Sequence, residues 1–426
     1  MQLTNLAPQQ LYDEMSKLLD IKSYMLYKNC YTTPFGTKVE VFCYRIDGLP
    51  WDKIPLLRQF RGIMFEMDKE HEGKVVRIMT RPFEKFFNWG QNELSTFPIS
   101  KDTTEWVMVK MDGMLMSTYY DINPETKEPE IFLKSKTTPF SDYALLATSL
   151  LKQDERYKDS LAPVLLKLSL AGLTVNMEYV GPRSHIVVIY PTQQLSVLDV
   201  RCNLTGKSYN KDLDQLLEIV DGLSVQELNV LKSNFVNFME LPDEIPETNN
   251  SIEATSEFIQ NYKKSGTGSE GFVLCDKNHG LVKVKTDWYV ERHEVRFSLN
   301  STKAIFESIH NRTIDDVLVL YKNDKPFIDL INSHTYVYYK HVAEAYNIFE
   351  SIYTSLVGLD RKSYAIKASE LLEKIELRYR KFIFGILMWA FQNSSMPYTE
   401  LQDKVIDDIE TAICKQHKDF MPEVDN

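Results

Sequence analysis

The chain of 426 residues is 43% hydrophobic and 26% charged, which excludes a disordered, collagen-like or low-complexity protein and is length enough for two or three domains with buried cores. Its 49 basic residues are outnumbered by 60 acidic ones, a net charge of −11 that excludes a histone-like coat on nucleic acid but not a local basic channel.

The opening MQLTNLAPQQLYDEM has neither a charged start nor an apolar stretch, so no signal peptide is expected. From about residue 24 to 289 the apolar residues mostly alternate. VEVFCYRI (39–46), RGIMFEMD (61–68), EWVMVKMDG (105–113), TVNMEYVG (174–181), HIVVIYP (185–191), LSVLDV (195–200), EGFVLCD (270–276) and LVKVKTDWYV (281–290) all read as strands. Helical patterns at 142–153 and 160–171 interrupt them, which predicts an α+β domain with largely antiparallel pairing. The acidic, Pro- and Asn-containing stretch 239–250 reads as a surface connection.

After about residue 295 the texture changes. Segments 303–321, 334–357, 360–391 and 399–415 have helical spacing, with caps expected at Asp360 and Thr399. The predicted division is therefore 1–294 and an all-helical 295–426. Within the latter, 361–381 has seven basic and three acidic residues, including Arg378, Arg380 and Lys381. That run reads either as a solvated helix face or as a phosphate-contact patch. The longest apolar run, FIFGILMWAF at 382–391, is about half of the roughly 20 residues that span a bilayer. With five scattered cysteines (Cys30, Cys43, Cys202, Cys275, Cys414) and no CxxC or zinc spacing, a soluble cytoplasmic protein is expected, without membrane contact.

Two apparent nucleotide motifs fail on context. Gly266-Thr-Gly268-Ser-Glu-Gly271 fits GxGxxG, yet a helical pattern precedes it and a strand follows, the reverse of a dinucleotide fingerprint. Gly206-Lys207-Ser208 is similar to the end of a Walker A loop, but Arg201 stands at the position of its first glycine.

The chemistry gathers around Lys110-Met-Asp112-Gly113, a lysine ending a strand with an acid and a tight turn beside it. In order along the chain stand Arg61-Gly62, Glu84-Lys85-Phe86-Phe87-Asn88, Lys110 to Gly113, Lys134-Ser135-Lys136, Asn176-Met-Glu178-Tyr179, Glu270-Gly271 and Lys283-Val-Lys285. The last two lysines, at i and i+2 of a strand, face one side of a sheet, where an anion such as a triphosphate would neutralise them.

This ordered set resembles the covalent nucleotidyltransferase superfamily of ligases and capping enzymes, and within it RNA ligase family one. The resemblance runs from about residue 38 to 289, and more faintly to the C-terminus. It implies an adenylation (nucleotidyltransferase) domain with antiparallel sheets and flanking helices, followed by an all-α domain that recognises RNA. Helices rather than a β-barrel after the last lysine motif argue against a capping enzyme or a DNA ligase. The implied activity is ATP-dependent joining of RNA 5′-phosphate and 3′-hydroxyl ends through lysyl-AMP and an adenylated RNA end, with Mg²⁺ (Mn²⁺ as an alternative) as cofactor. Cleaved tRNA, broken in the anticodon loop, is the implied substrate; a phage-encoded member would act in the cytoplasm of its bacterial host.

Carried over residue by residue, the resemblance implies that Lys110 is the nucleophile, with Asp112 and Gly113 completing its motif. Arg61, Lys85, Phe87 and Lys136 would line the nucleotide and phosphate path, with Tyr44 and Tyr289 as further nucleotide contacts. Glu178 would hold ribose or metal, Glu270 would assist metal binding, and Lys283 and Lys285 would grip phosphates. Asp315 would be a second metal contact in the helical domain. Met114 stands where the family has Ser or Leu. Independently of the resemblance, a lysine nucleophile must be neutral, although its amine ordinarily titrates near 10.4; neighbouring cations and burial favour the neutral form.

Overall fold

The computed structural model describes residues 6–21, 25–45, 49–182, 186–210, 212–239, 245, 247–248, 251–321 and 324–421. It divides into two compact units, Met1–Val290 and Glu291–Asn426, with the boundary inside the helix Asp287–Ser298.

Alternating sequences build three sheets in the first unit. β1 (Leu26–Thr32), β2 (Lys38–Tyr44), β3 (Arg61–Met67) and β4 (Val75–Thr80) form the first, antiparallel throughout. The short β5 (Phe87–Asn88) and β6 (Thr104–Lys110) come next, then β7 (Met114–Ile122), β8 (Pro129–Lys134), β9 (Leu173–Val180) and β10 (Gln194–Cys202). The last four make the second sheet, antiparallel in the order β10-β9-β7-β8. β11 (Phe238–Met239), β12 (Gly271–Asp276) and β13 (Gly280–Lys285) join β5 and β6 in a third sheet ordered β11-β6-β12-β13-β5.

Two features of this topology position the site. In the third sheet Lys110 lies opposite Gly271, and Gly271 opposite Lys285, so the ends of β6, β12 and β13 form one row. Only Met111, Asp112 and Gly113 then separate β6 of the third sheet from β7 of the second. All eight residues of β9 are buried. The helix Leu161–Leu170 packs against β9 and β7, with Leu161, Leu165 and Leu168 in one core with Met177 and Val175. The helix Asp142–Gln153 starts at Ser141, which accepts a hydrogen bond from the Ala144 amide, a cap of the kind that satisfies an orphan N–H.

Several expected boundaries shift. Residues 186–191 are not a strand (His185 lies outside the described residues); the amides of Val187 and Val188 turn instead to the Asp112 carboxylate. The strand expected over 281–290 ends at Lys285, because the Thr286 hydroxyl accepts from the Tyr289 amide and opens the helix Asp287–Ser298. The 239–250 connection falls largely outside the described residues.

The second unit is helical in its described residues. A 31-residue helix, Lys325–Ser355, packs against Leu377–Gln392, Tyr398–Lys415 and Thr302–His310 through a core that includes Phe306, Ile331, Tyr338, Ile383 and Ile409. Asp360 caps Arg361–Leu372 as expected. Thr399 does not cap its helix, which already starts at Tyr398. The segment 303–321 breaks into Thr302–His310 and Ile314–Leu320 around Arg312, whose φ of 60° lies in the left-handed region. Likewise 360–391 is two helices, Arg361–Leu372 and Leu377–Gln392. Within the basic run, Arg378 pairs with Glu376 at 2.8 Å and Lys381 with Asp419 at 2.5 Å. No helix among the described residues is long and apolar enough to cross a membrane.

Candidate active site

The row at the end of the third sheet brings two lysines onto one acid. Glu270, immediately before β12, is 3% exposed; one carboxylate oxygen lies 2.8 Å from Lys110 Nζ and the other 3.0 Å from Lys285 Nζ. Gly271 makes this possible. Its φ is +140°, and a Cβ there would lie 1.9 Å from the Val284 carbonyl oxygen, so only glycine lets β12 and β13 approach at this point. Two pairs further in, Lys283 stands opposite Val273 on β12. Burial, reinforced by the charges of Lys110, Lys285, Arg61 and Lys85, pushes its amine down to about 7.

The second sheet supplies the facing acid. Glu178 on β9, beside Leu115 of β7, is buried, and burial pushes its carboxyl up to about 8; Glu270 and Asp112 act in the same direction, while Lys110 and Arg61 oppose them. Gly113 admits this arrangement, since a Cβ would lie 2.4 Å from the Tyr179 carbonyl oxygen and 3.1 Å from Glu178 Cγ.

Asp112 works as a staple. One carboxylate oxygen accepts from the Val187 and Val188 amides (2.6 and 2.8 Å) and the other from the Tyr289 hydroxyl (2.8 Å). The Asp112 amide donates to the Tyr190 hydroxyl at 3.1 Å. Burial first, and the Glu270 and Asp112 charges next, raise the Tyr289 phenol, so it stays a donor. Tyr289 thus braces the site through Asp112, with Lys285 Nζ 4.8 Å from its ring centroid.

A second set of cations surrounds Tyr44 and Phe86. Lys85 Nζ donates to the Tyr44 hydroxyl at 3.3 Å, and Lys136 Nζ stands 4.1 Å from the Tyr44 ring centroid. Arg61 and Lys283 approach the Phe86 ring at 5.2 and 5.6 Å. Phe87, which the resemblance puts on the nucleotide and phosphate path, is 4% exposed and packed edge-on to Trp51 in the core of the first sheet, with Lys85 Nζ 5.5 Å from its ring centroid. Its neighbour Phe86, the ring approached by Arg61 and Lys283, is half-buried. Asp315 is exposed in the first turn of Ile314–Leu320, in the helical unit.

The sequence reading missed Tyr190, Phe86 and the Val187 and Val188 amides. A second aromatic next to Phe87 was the one available signal. As a donor set, Glu178 and Glu270 are hard carboxylate oxygens suited to Mg²⁺, which characteristically takes one or two carboxylates and completes its shell with phosphate oxygens and water. Among the described residues there is no group of three or more His, Cys, Asp or Glu side chains that could hold a metal ion.

Residues 59–289, more than half of the chain, match the family model described as RNA ligase. Residues 296–424 match the model described as T4 RNA ligase 1, C-terminal domain. A protein of Thermovibrio ammonificans named "Putative RNA ligase" is 26% identical over 282 residues, 66% of this chain; the chain spans 65% of that relative's length.

Proposed function

The chain belongs to the RNA ligase family, and from that premise we propose that it is an ATP-dependent RNA ligase with Lys110 as nucleophile. The observation that carries the reading is the row in which Lys110 and Lys285 share Glu270 while Glu178 faces them from the second sheet.

In the first step the lone pair of the Lys110 amine attacks the α-phosphorus of ATP. A nitrogen–phosphorus bond forms, the bond to the bridging oxygen breaks, and pyrophosphate leaves with that electron pair. Lys283, Lys285, Arg61 and Lys85 bind the triphosphate and spread its charge, the main protein contribution in such transfers. Glu178 and Glu270 would hold magnesium, which supplies further neutralisation of phosphate charge. Asp112 keeps the turn after Lys110 closed, so the amine is held in place rather than searching for its target. Phe86 offers the half-buried aromatic surface next to these cations.

AMP then passes to an RNA 5′-phosphate, and an RNA 3′-hydroxyl attacks that activated end, releasing AMP and forming the phosphodiester. The helical unit recognises the RNA, and a tRNA cleaved in its anticodon loop is the substrate we assign.

Incubation with ATP and Mg²⁺ followed by intact-mass measurement tests the reading. An added AMP group on the Lys110 peptide, absent from Lys110→Ala, is the expected outcome. Adduct formation by Lys110→Ala would refute the assigned nucleophile. Sealing of a cleaved anticodon loop in preference to linear single strands tests the substrate.

A further inference from the structure

Lys134, the first lysine of Lys-Ser-Lys, has no part in the chemistry above, and the structure sets it apart from every other lysine of the motif set. It is 0% exposed, and among the described residues no carboxylate lies within ion-pair reach. Burying an amine in this way is costly, and burial pushes it down to about 8.

Three backbone oxygens converge on its nitrogen: Gly62 O at 2.9 Å, Ser135 O at 2.8 Å and Lys136 O at 3.3 Å. An ammonium has three N–H donors and no acceptor, so donors and acceptors match one to one. An apolar side chain there would deprive these carbonyls of that donor, a loss that is expensive in a buried position. The acceptors belong to different sheets, since Gly62 is in β3 of the first while Ser135 and Lys136 follow β8 of the second.

The approach is too close for any side chain on Gly62, whose φ is +95°; a Cβ would fall 2.1 Å from Lys136 O. β1 and β2 hold the same tail more weakly, through the Tyr31 hydroxyl to Thr137 O (3.3 Å) and Cys43 Sγ to Lys136 O (3.8 Å). On either side of this joint stand Arg61, directly before Gly62, and Lys136 itself, whose amine lies against Tyr44.

We propose that Lys134 is a positioning residue for nucleotide transfer: its buried ammonium rivets the opening of β3 to the tail of β8 and so sets where Arg61 and Lys136 present their charges. The role rests on the ligase reading above, but it concerns a side chain that need not touch the nucleotide.

The test uses the full chain, with Lys110 adduct formation at saturating ATP as the rate and circular dichroism at the assay temperature as the folding control. Lys134→Met keeps the bulk and removes the donors. We expect it to be folded and slower by about tenfold or more, as misplaced binding groups are. Because Lys134 acts partly through Lys136, its loss should not multiply with that of Lys136→Ala; the double variant should fall within about threefold of the slower single one. A residue that only stabilises the fold would give multiplying losses, or none.

Rates within twofold of wild type, or fully multiplying losses, overturn the proposal. If Lys134→Met does not fold, Lys134→Gln, which retains two donors, carries the same measurements; failure of both to fold makes Lys134 a folding residue and equally overturns it. Wild-type protein that forms no adduct sinks the ligase reading itself, whereas an adduct formed equally well by the variant sinks this role alone.

Discussion

The two units handle buried charge in opposite ways. Among the described residues, the helical unit buries the carboxylates of Asp324 and Glu410, and each meets a guanidinium: Arg296 for the first, and Arg312 at 3.0 Å for the second. Its other buried polar side chains, Thr302, His334 and His341, lie among aliphatic and aromatic packing and are hydrogen-bonded within the unit. The first unit instead buries Lys134 against carbonyls and Glu178 near two further acids, and has Lys110 and Lys285 compete for one carboxylate. The helical unit thus pairs each buried carboxylate with its own cation, whereas the sheet unit leaves buried charges that share partners or meet only carbonyls.

The sharpest way to break that contrast is to neutralise the facing acid. Glu178→Gln should lower Lys110 adduct formation by about 10² or more, the scale of losing one aligned electrostatic group. Thermal melts of the same variant should show no destabilisation above about pH 8, because wild type must ionise a buried carboxyl there and the amide need not. A clear drop in melting temperature at that pH would mean that Glu178 is a structural residue.

The next largest effect lies in the other unit. Ile331 is fully buried in the helical core, and Ile331→Ala should cost about 2–5 kcal/mol of that unit's stability, read as a denaturant midpoint. ATP-only adduct formation should persist. Parallel loss of both would erase the division of labour between the units.

A smaller effect is expected at the Asp112 staple. Tyr289→Phe removes one hydroxyl donor and should cost about 1 kcal/mol of stability, with slower adduct formation. Unchanged stability and rate would show that the two amides hold Asp112 without help.

The smallest signal is protonic. Lys283 titrates near 7 in the folded protein instead of at its ordinary 10.5, so between those values the unfolded chain binds more protons and stability rises with pH. At pH 8 the folded amine is mostly neutral, and a triphosphate should draw a proton onto it. Calorimetry of a non-cleavable ATP analogue in buffers of different ionisation enthalpy should register uptake of a fraction of a proton at pH 8. The uptake should vanish near pH 6, where the amine is already charged.

Much of the sheet unit was legible because alternation and motif order are local properties. The strand ending at Lys110, the pairing of Lys283 and Lys285 on one side, and the inverted context of Gly266 to Gly271 all follow from neighbours in sequence. What escaped was contact across distance. Tyr190 meets the Asp112 amide across 78 positions, and 185–191 read as a strand because its apolar residues gave no hint that two of its amides serve a carboxylate. Phe86 and Phe87 are chemically alike; the short β5, running parallel to β13, decides which ring goes inward. In the helical unit, spacing located the helices but not the breaks at Arg312 and between Leu372 and Leu377, where periodicity continues through the turn.

The three-residue step from β6 to β7 has a mechanical consequence. Because Lys110 ends one sheet and Met114 begins the other, the span of chain between them works like the pin of a pair of tongs, fixing how far apart the gripping tips stand. An alanine inserted after Met111 would keep every residue of the motif yet carry Asp112 and Gly113 out of step with Lys110 and spread the tips, and Lys110 adduct formation should fall accordingly.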